Sequence, residues 1–583
     1  MKKIIYCLSL LLSAMTMTSC SDFFDPDTDD ELNGEDYISS DTEMYTGFLG
    51  IMTKLQAIGD KQILLTETRG ELVEVSDMST PDLISIYNYD TDLEGNPYAN
   101  PAGYYEVIIA CNDYLSKMKE YRNEPGVDEE IWKDLVSSTV RIKAWTYKTI
   151  VEIYGEAVWF DEPVTKLTEL TPENGFVFME LPGIIDKCLE LMDNGYDGVP
   201  STRTIDWIKW LDPDKVTDVA NSSYRKWNYM VPPYEGVYAE LCLWKGAAIE
   251  SLSPNAAVSN PSATVYYQKA ADVMLNILTW YADLKYKGEQ TDPNSSVYWL
   301  PSAATPGQYK NFYDYDQPFA RECAAAIIYD YTNNQTNTLL KHFSNEYPNE
   351  YLLRPNQKAM ENYLADTNDG DARYKATFGK SSGASYISKF RPVGSSRRPN
   401  PYQDDVHIYI YRATQYHMML AEALNHLKRF TAMNGVFNNG VNKEIYKEGD
   451  PEWIGFSRNW TSDAEWGTRR YPSMGIRCCY GAPARTKVVL TLVGTTEHDA
   501  MKANDLQILD ESMLEFACEG KVYAMMNRMA LRYGDLNIIA DRVAPKYESA
   551  GKDGEIRGKI LDGGNWVHYD LRLMDTDNSD SQE

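Results

Sequence analysis

Beyond its first fifteen residues this chain has no long apolar run, so the mature part lacks the roughly 18 or more consecutive apolar residues that a membrane-spanning helix needs. Histidine is scarce, with six in 583 residues, and none lies in an H-E-x-x-H pattern. His417 and His426 share a helical stretch but are nine residues apart, not the three or four that let two side chains meet one metal from adjacent turns. No C-x-x-C spacing occurs among the nine cysteines. No metal set or cofactor motif is therefore read. Basic charge is also short: 56 Lys and Arg stand against 86 Asp and Glu, a formal charge of −30, which argues against a nucleic-acid partner because phosphate recognition needs a basic face. Phenylalanine is outnumbered, at 15 against 43 tyrosines and 13 tryptophans. Tyrosine pairs a flat apolar face with a hydroxyl and suits half-wet surfaces as well as helix seams.

The N-terminus has the three parts of an export signal: Lys2 and Lys3, an apolar run from Ile4 to Met15, and small polar residues leading to Cys20. A cysteine directly after the cleavage point is the acceptor that bacterial lipoproteins use for diacylglycerol, so residues 1–19 read as a lipoprotein signal and Cys20 as the lipidation site. Residues 20–36 follow as an acidic tether with too little periodic apolar surface to fold alone, and 37–583 as one folded domain. Cys7 leaves with the signal. The seven cysteines beyond Cys20 fall mostly inside apolar patterns and most are expected to be buried thiols; Cys478 and Cys479 are adjacent and poorly placed to pair with each other, and either could pair with a distant cysteine.

Helical periodicity dominates the rest. Phe48, Met52 and Leu55 keep to one face, with Ser40 or Asp41 available as a cap. From Ile131 to Tyr154 two apolar stripes lie on different faces, so that helix must be covered on two sides, as in a helical array, and Gly155 is placed to end it. Further helices are read at Glu235 to Ala248, Val265 to Tyr281, Arg412 to Phe430 and Asp505 to Tyr533. YYQKAADVMLNIL and YHMMLAEALNHLKRF have tetratricopeptide-like spacing without a strict 34-residue period. Insertions rich in Gly, Pro, Asn and Tyr separate the helices at roughly 60–100, 200–232, 285–318, 365–405 and 434–500.

Several motifs read better as plain structure than as chemistry. Gly379-Lys380-Ser381-Ser382-Gly383 matches a serine-hydrolase elbow in letters, but short extended runs on both sides make a hairpin. Asp90, Asp92, Glu94 and Gly95 open like a calcium loop, yet Pro101 stands where the closing glutamate belongs, so a solvated acidic loop is expected. Asp404 and Asp405 are neighbours on an extended segment and point to opposite faces, which spoils them as an acid/base pair.

The order of several elements resembles the SusD/RagB family of outer-membrane nutrient-binding lipoproteins. These are CSDFFD at Cys20 to Asp25, Tyr105 with Ile108 and Asn112, WTYKTIVEIYGEAV from Trp145 closed by Asp161-Glu162-Pro163, Arg412 with Met418 and Ala421 to Asn425, and EFACEG at Glu515 to Gly520 with Arg528 beyond. Val522 and Met525 depart from the family pattern, where arginine and aspartate are usual. The resemblance implies a mainly α fold, a right-handed superhelix of tetratricopeptide-like pairs with a loop-rich ligand-binding half. It implies a SusC-like TonB-dependent outer-membrane transporter as partner, and a surface-exposed, lipid-anchored binder of glycans or oligopeptides that is not an enzyme. The competing class is a surface glycoside hydrolase, which needs two carboxylates about 5–10 Å apart in a cleft.

A sugar-binding site needs aromatic faces beside amides or carboxylates. Two insertions supply them: Tyr87, Asn88 and Tyr89, the two tyrosines sharing a face if the run is extended, and Tyr298, Trp299, Tyr309, Phe312, Tyr313 and Tyr315 with Asn311 and Asp314 between. Tyr89 and Trp299 are the first choices as stacking platforms, with Trp207, Trp210, Trp453, Trp460 and Trp466 in reserve.

Overall fold

The computed structural model describes residues 38, 40–164, 170, 174, 176, 178–203, 229–254, 260–287, 305–310, 313, 323–367, 371–381, 383–391, 404–438, 475–481 and 496–569, with the side chains of 279–287, 332, 367 and 478 excepted. Cys20, Tyr298, Trp299, Asn311, Phe312, Asp314, Tyr315 and the five reserve tryptophans lie outside the described residues.

The fold is mainly helical. Its first half holds α1 (Asp41–Arg69), α2 (Pro81–Tyr87), α3 (Ala102–Tyr121), α4 (Glu129–Tyr154), α5 (Leu181–Asn194), α6 (Tyr234–Glu250) and α7 (Pro261–Lys287). Short helices α8 (Pro306–Lys310), α9 (Leu339–Phe343), α10 (Gln357–Thr367) and α11 (Ala372–Thr377) follow. The second half holds α12 (Ala413–His426), α13 (Phe430–Asn438), α14 (Ile476–Cys479), α15 (Glu497–Phe516), α16 (Val522–Tyr533), α17 (Asn537–Val543) and α18 (Asp553–Lys559). Each long helix packs between neighbours: α3 between α1 and α4, α5 between α4 and α6, α7 between α6 and α12, and α15 against both α12 and α16. α16 also packs on α6.

Among the described residues the strands form antiparallel pairs: β1 (Val73–Val75) with β5 (Leu353–Pro355), β2 (Glu156–Val158) with β3 (Phe178–Glu180), β4 (Cys323–Ile327) with β8 (Ile408–Arg412), and β6 (Phe378–Ser381) with β7 (Ala384–Ile387). The β6–β7 pair is the hairpin expected around Gly379–Gly383, so Ser381 sits on a strand and not at a strand-to-helix elbow.

Local chemistry accounts for the helix ends. Ser40 caps α1, its hydroxyl accepting from the Glu43 N–H, and Asp128 caps α4 by accepting from Glu130 and Ile131. α4 ends at Gly155, as its sequence indicates. The helix is more enclosed than its two stripes imply, since every residue from Leu135 to Tyr154 is buried. Its polar groups are satisfied internally: Thr139, Thr146 and Thr149 hydroxyls donate to carbonyls four residues back, at 2.8–2.9 Å. Arg141 donates to the carbonyls of Pro232 and Ser201, and Lys143 pairs with Asp161 at 2.7 Å.

Three expectations are corrected. Residues 60–69 do not open an insertion but complete the 29-residue α1, because Ile63, Leu64 and Leu65 bury its last turns. The stretch read as one helix from Arg412 to Phe430 divides, with Arg412 ending β8, α12 running to His426, and Lys428 at φ 62° turning the chain before α13. The stretch from Asp505 to Tyr533 likewise breaks between Phe516 and Val522, so Arg528 belongs to the helix after Glu515. Cys111, Cys188, Cys242, Cys323, Cys479 and Cys518 are buried, as their apolar surroundings in sequence indicate.

Candidate functional site

The run Ser85 to Asp90 is not extended. Thr80 accepts from the Leu83 N–H and Pro81 occupies the first turn, so the segment winds into α2 with Leu83 and Ile86 turned to the core. Tyr89 follows in the left-handed region at φ 56° and is 2 % exposed. The Arg69 guanidinium lies 4.0 Å from its ring centroid, and its hydroxyl donates to the Arg69 carbonyl at 2.5 Å. Tyr89 is therefore an interior anchor, and its expected role as an exposed stacking face is corrected by this burial. Tyr87 and Asn88 stay half-buried. The Tyr87 ring packs 4.5 Å from that of Tyr547, whose hydroxyl donates to the Tyr87 carbonyl, while Lys559 donates to the Asn88 carbonyl at 2.8 Å.

Tyr309 and Tyr313 are buried as well. Tyr309 donates to the Glu515 carbonyl at 2.9 Å and meets Tyr480 edge-on, and Tyr313 donates to the Glu519 carboxylate at 2.6 Å. Both fasten α8 and the residues after it to the joint between α15 and α16. Neither presents the open ring face that was expected of it. The structure thus does not bring the described sequence candidates together on one exposed surface: Tyr87 and Asn88 remain near solvent, and Tyr89, Tyr309 and Tyr313 do not. Asp90 of the acidic loop pairs with Lys559 at 3.2 Å, and among the described residues no group of three or more His, Cys, Asp and Glu is placed to hold a metal.

The charged residues of the C-terminal motifs assemble at the centre. Arg412 reaches Glu515 at 2.6 Å and Glu519 at 2.9 Å, Lys389 reaches Glu519 at 2.6 Å, and Arg373 joins Asp371, Glu511 and Glu515. Burial alone would raise the Glu519 carboxyl, but Arg412 and Lys389 beside it bring it down to about 2. A second network joins Glu422 to Arg528 and Arg532, then Asp505 to Arg532 and His426. Burial and Arg532 oppose charge on His426, yet Asp505 and Glu250 outweigh them and raise it to about 9. A third joins Lys148 to Glu152 and Glu240 at 2.7 and 2.9 Å. Such pairs are costly to bury and more costly to break, so they specify which helix faces meet. Their pairing was not readable beforehand. The available signal was a set of charges (Glu422, Glu515, Glu519, Arg528) standing inside otherwise apolar helical patterns.

Between these networks lies a cavity of about 40 Å³ lined by Lys148, Glu240, Glu422, Lys521 and Arg528 with Ile58, Ile408 and Met525 among the apolar walls. It is large enough for a few water molecules and far below the roughly 300 Å³ that a small-molecule ligand needs. Despite burial, adjacent cations hold Glu240, Glu422 and Glu519 below the usual carboxylate range, whereas burial raises Glu152 in the same lining.

No family model and no curated protein matches the sequence. Solved structures do. A SusD homolog from Bacteroides thetaiotaomicron superposes with a TM-score of 0.58 at 13% identity, covering 94% of this chain and 97% of the other. A SusD superfamily protein from Bacteroides vulgatus gives 0.55 at 13%, covering 90% and 97%, and B. fragilis NanU gives 0.53 at 14%, covering 87% and 92%. The superposition runs along nearly the whole length while the sequences differ, and on that ground the chain has the fold of these SusD superfamily structures.

Proposed function

We propose that this chain is a nutrient-binding lipoprotein of the SusD type, anchored at the outer membrane through Cys20, that delivers an oligosaccharide or oligopeptide to a SusC-like TonB-dependent transporter. The observation that carries this reading is the likeness to SusD superfamily structures along nearly the whole chain. It is supported by the lipoprotein signal over residues 1–19, the acidic tether over 20–36, and the family elements that now lie at the centre of the fold, Arg412 and Glu515 among them. Ligand contact is assigned to the loop-rich half, where Tyr87 and Asn88 are near solvent and Tyr298 and Trp299 complete the set chosen from sequence.

Replacing Cys20 with alanine removes the lipid acceptor, so the variant should leave the outer-membrane fraction and fail to incorporate labelled palmitate. Retention of Cys20→Ala in that fraction would overturn the anchoring. Binding itself is tested by screening the mature protein against glycans and oligopeptides, with reducing ends assayed in parallel. Release of reducing ends would replace this reading with that of a hydrolase.

A further inference from the structure

The described tyrosines are mostly interior or half-covered, and only Tyr331 and Tyr347 among them are exposed, at 40% and 91%. Tyr347 gives up nearly all the stabilisation that burying its ring would supply, and it does so on a turn that is firmly held. The Asn349 N–H donates to the Glu346 carbonyl at 2.9 Å, and the Glu350 and Tyr351 N–H groups both donate to the Lys341 carbonyl at 3.0 Å. The β1–β5 ladder fixes the turn from the other side, since Val75 opposes Leu353 and the Ser76 hydroxyl donates to the Tyr351 carbonyl at 2.6 Å. Arg391 pairs with Glu346 at 2.5 Å beneath it.

Beside the ring in the chain stand amides and carboxylates: Asn345, Glu346, Asn349 and Glu350. Within five residues, Asn345 Oδ1, Glu346 Oε2 and Asn349 Nδ2 are covered by protein yet meet no hydrogen-bonding partner. Covered polar atoms of this kind are completed by ordered water, while Asn345 and Asn349 as whole residues are only half-buried beside the ring. A held, exposed aromatic face beside unsatisfied amides fits the C–H face and hydroxyl edge of a sugar ring. Glu346 and Glu350 on the turn pair with Arg391 and Lys341 at 2.5 and 3.2 Å, so the cations beside it are already engaged and offer little to an anionic saccharide. The core of a protein interface, by contrast, is depleted in such charges. We propose that the turn over residues 344–351 is a binding platform for a neutral oligosaccharide, with Tyr347 as its stacking ring and Asn345 and Asn349 as its hydroxyl partners. This deepens the nutrient-binding reading and rests on it.

The test is affinity electrophoresis of the mature protein in native gels cast with starch, xylan, galactomannan or β-glucan, followed by calorimetry with oligosaccharides of whichever retards it. Retardation of the wild type by at least one of these, with Tyr347→Ala about five- to thirty-fold weaker, Asn349→Ala about five-fold weaker and Tyr347→Phe nearly unchanged, supports the platform. Phe178→Ala, at an exposed aromatic on β3, serves as the control that should bind as the wild type does. Melting temperature is followed throughout, and an exposed residue such as Tyr347 should leave it unchanged. If a neutral glycan binds and Tyr347→Ala binds it equally well, the platform is wrong while the nutrient-binding reading stands. If none of the four glycans binds but an oligopeptide does, the assignment to neutral sugars is overturned. If neither glycans nor peptides bind, the nutrient-binding reading falls with it.

Discussion

A tyrosine's role here depends on where its hydroxyl ends. Tyr89, Tyr309 and Tyr313 lie in loop-like sequence yet donate to Arg69, Glu515 and Glu519 in the interior, which lets an aromatic ring be buried without stranding its polar end. His426 shows the same dependence on partners and makes a pH prediction. Its folded value, raised to about 9 by Asp505 and Glu250 against burial and Arg532, stands above the ordinary value of about 6.5 for an unfolded chain. A group raised on folding stabilises fully below its unfolded value, and the contribution fades as pH climbs through the folded one, so the His426 share of stability should be lost between about pH 6.5 and 9. Lys546 works in the opposite sense, because burial depresses it to about 7 and stability is gained as pH rises above that. The difference between wild type and His426→Gln isolates the histidine. Urea unfolding across that range should show the gap narrowing as pH rises, and a gap independent of pH would refute the assignment.

At the scale of elements, the joint between α15 and α16 collects residues as far as 453 positions apart in the chain. Gly520 stands there at φ 72°, its N–H donating to Glu67 at 2.8 Å, and a Cβ at this position would lie 2.9 Å from the Ile63 Cα. Gly383, in the β6–β7 turn at φ 85°, has open space where a Cβ would go. Gly520→Ala should therefore cost about 1–3 kcal/mol through strain and the shift of α1 backbone, and Gly383→Ala only the smaller conformational part. Chemical denaturation of both variants checks this, and equal losses would show that the contact between the joint and α1 contributes nothing. The break itself was hidden because Val522, Met525, Met526 and Met529 continue the apolar pattern of α15 past Phe516, so periodicity alone does not mark it.

For the molecule as a whole, the proposed partner predicts a physical association. When the native chain is extracted gently from membranes in mild detergent, it should elute with a large β-barrel protein by size exclusion, and the pair should survive affinity capture through a tag on this chain. Recovery of this chain alone, at the size of a monomer, would count against delivery to a transporter. The resemblance carried by short motifs and the superposition along nearly the whole chain agree on the fold, although sequence identity to the solved structures is only 11–14%. The fold tolerates such divergence because each array contact needs a buried apolar stripe and a few paired charges, not particular residues throughout.

Fold class, helix periodicity, the Ser40 cap, the end of α4 at Gly155, the β6–β7 hairpin and the buried cysteines were legible in the sequence, because each rests on residues within a few positions of one another. Which loop tyrosines face solvent was not, since Tyr309 is covered by α15 some 206 positions away while Tyr347 is 91% exposed. The same holds for Arg412, whose partners Glu515 and Glu519 lie 103 and 107 positions along the chain. Local pattern sets a residue's periodic face, but its burial and the partner of its charge come from elements distant in sequence that only the packed array brings against it.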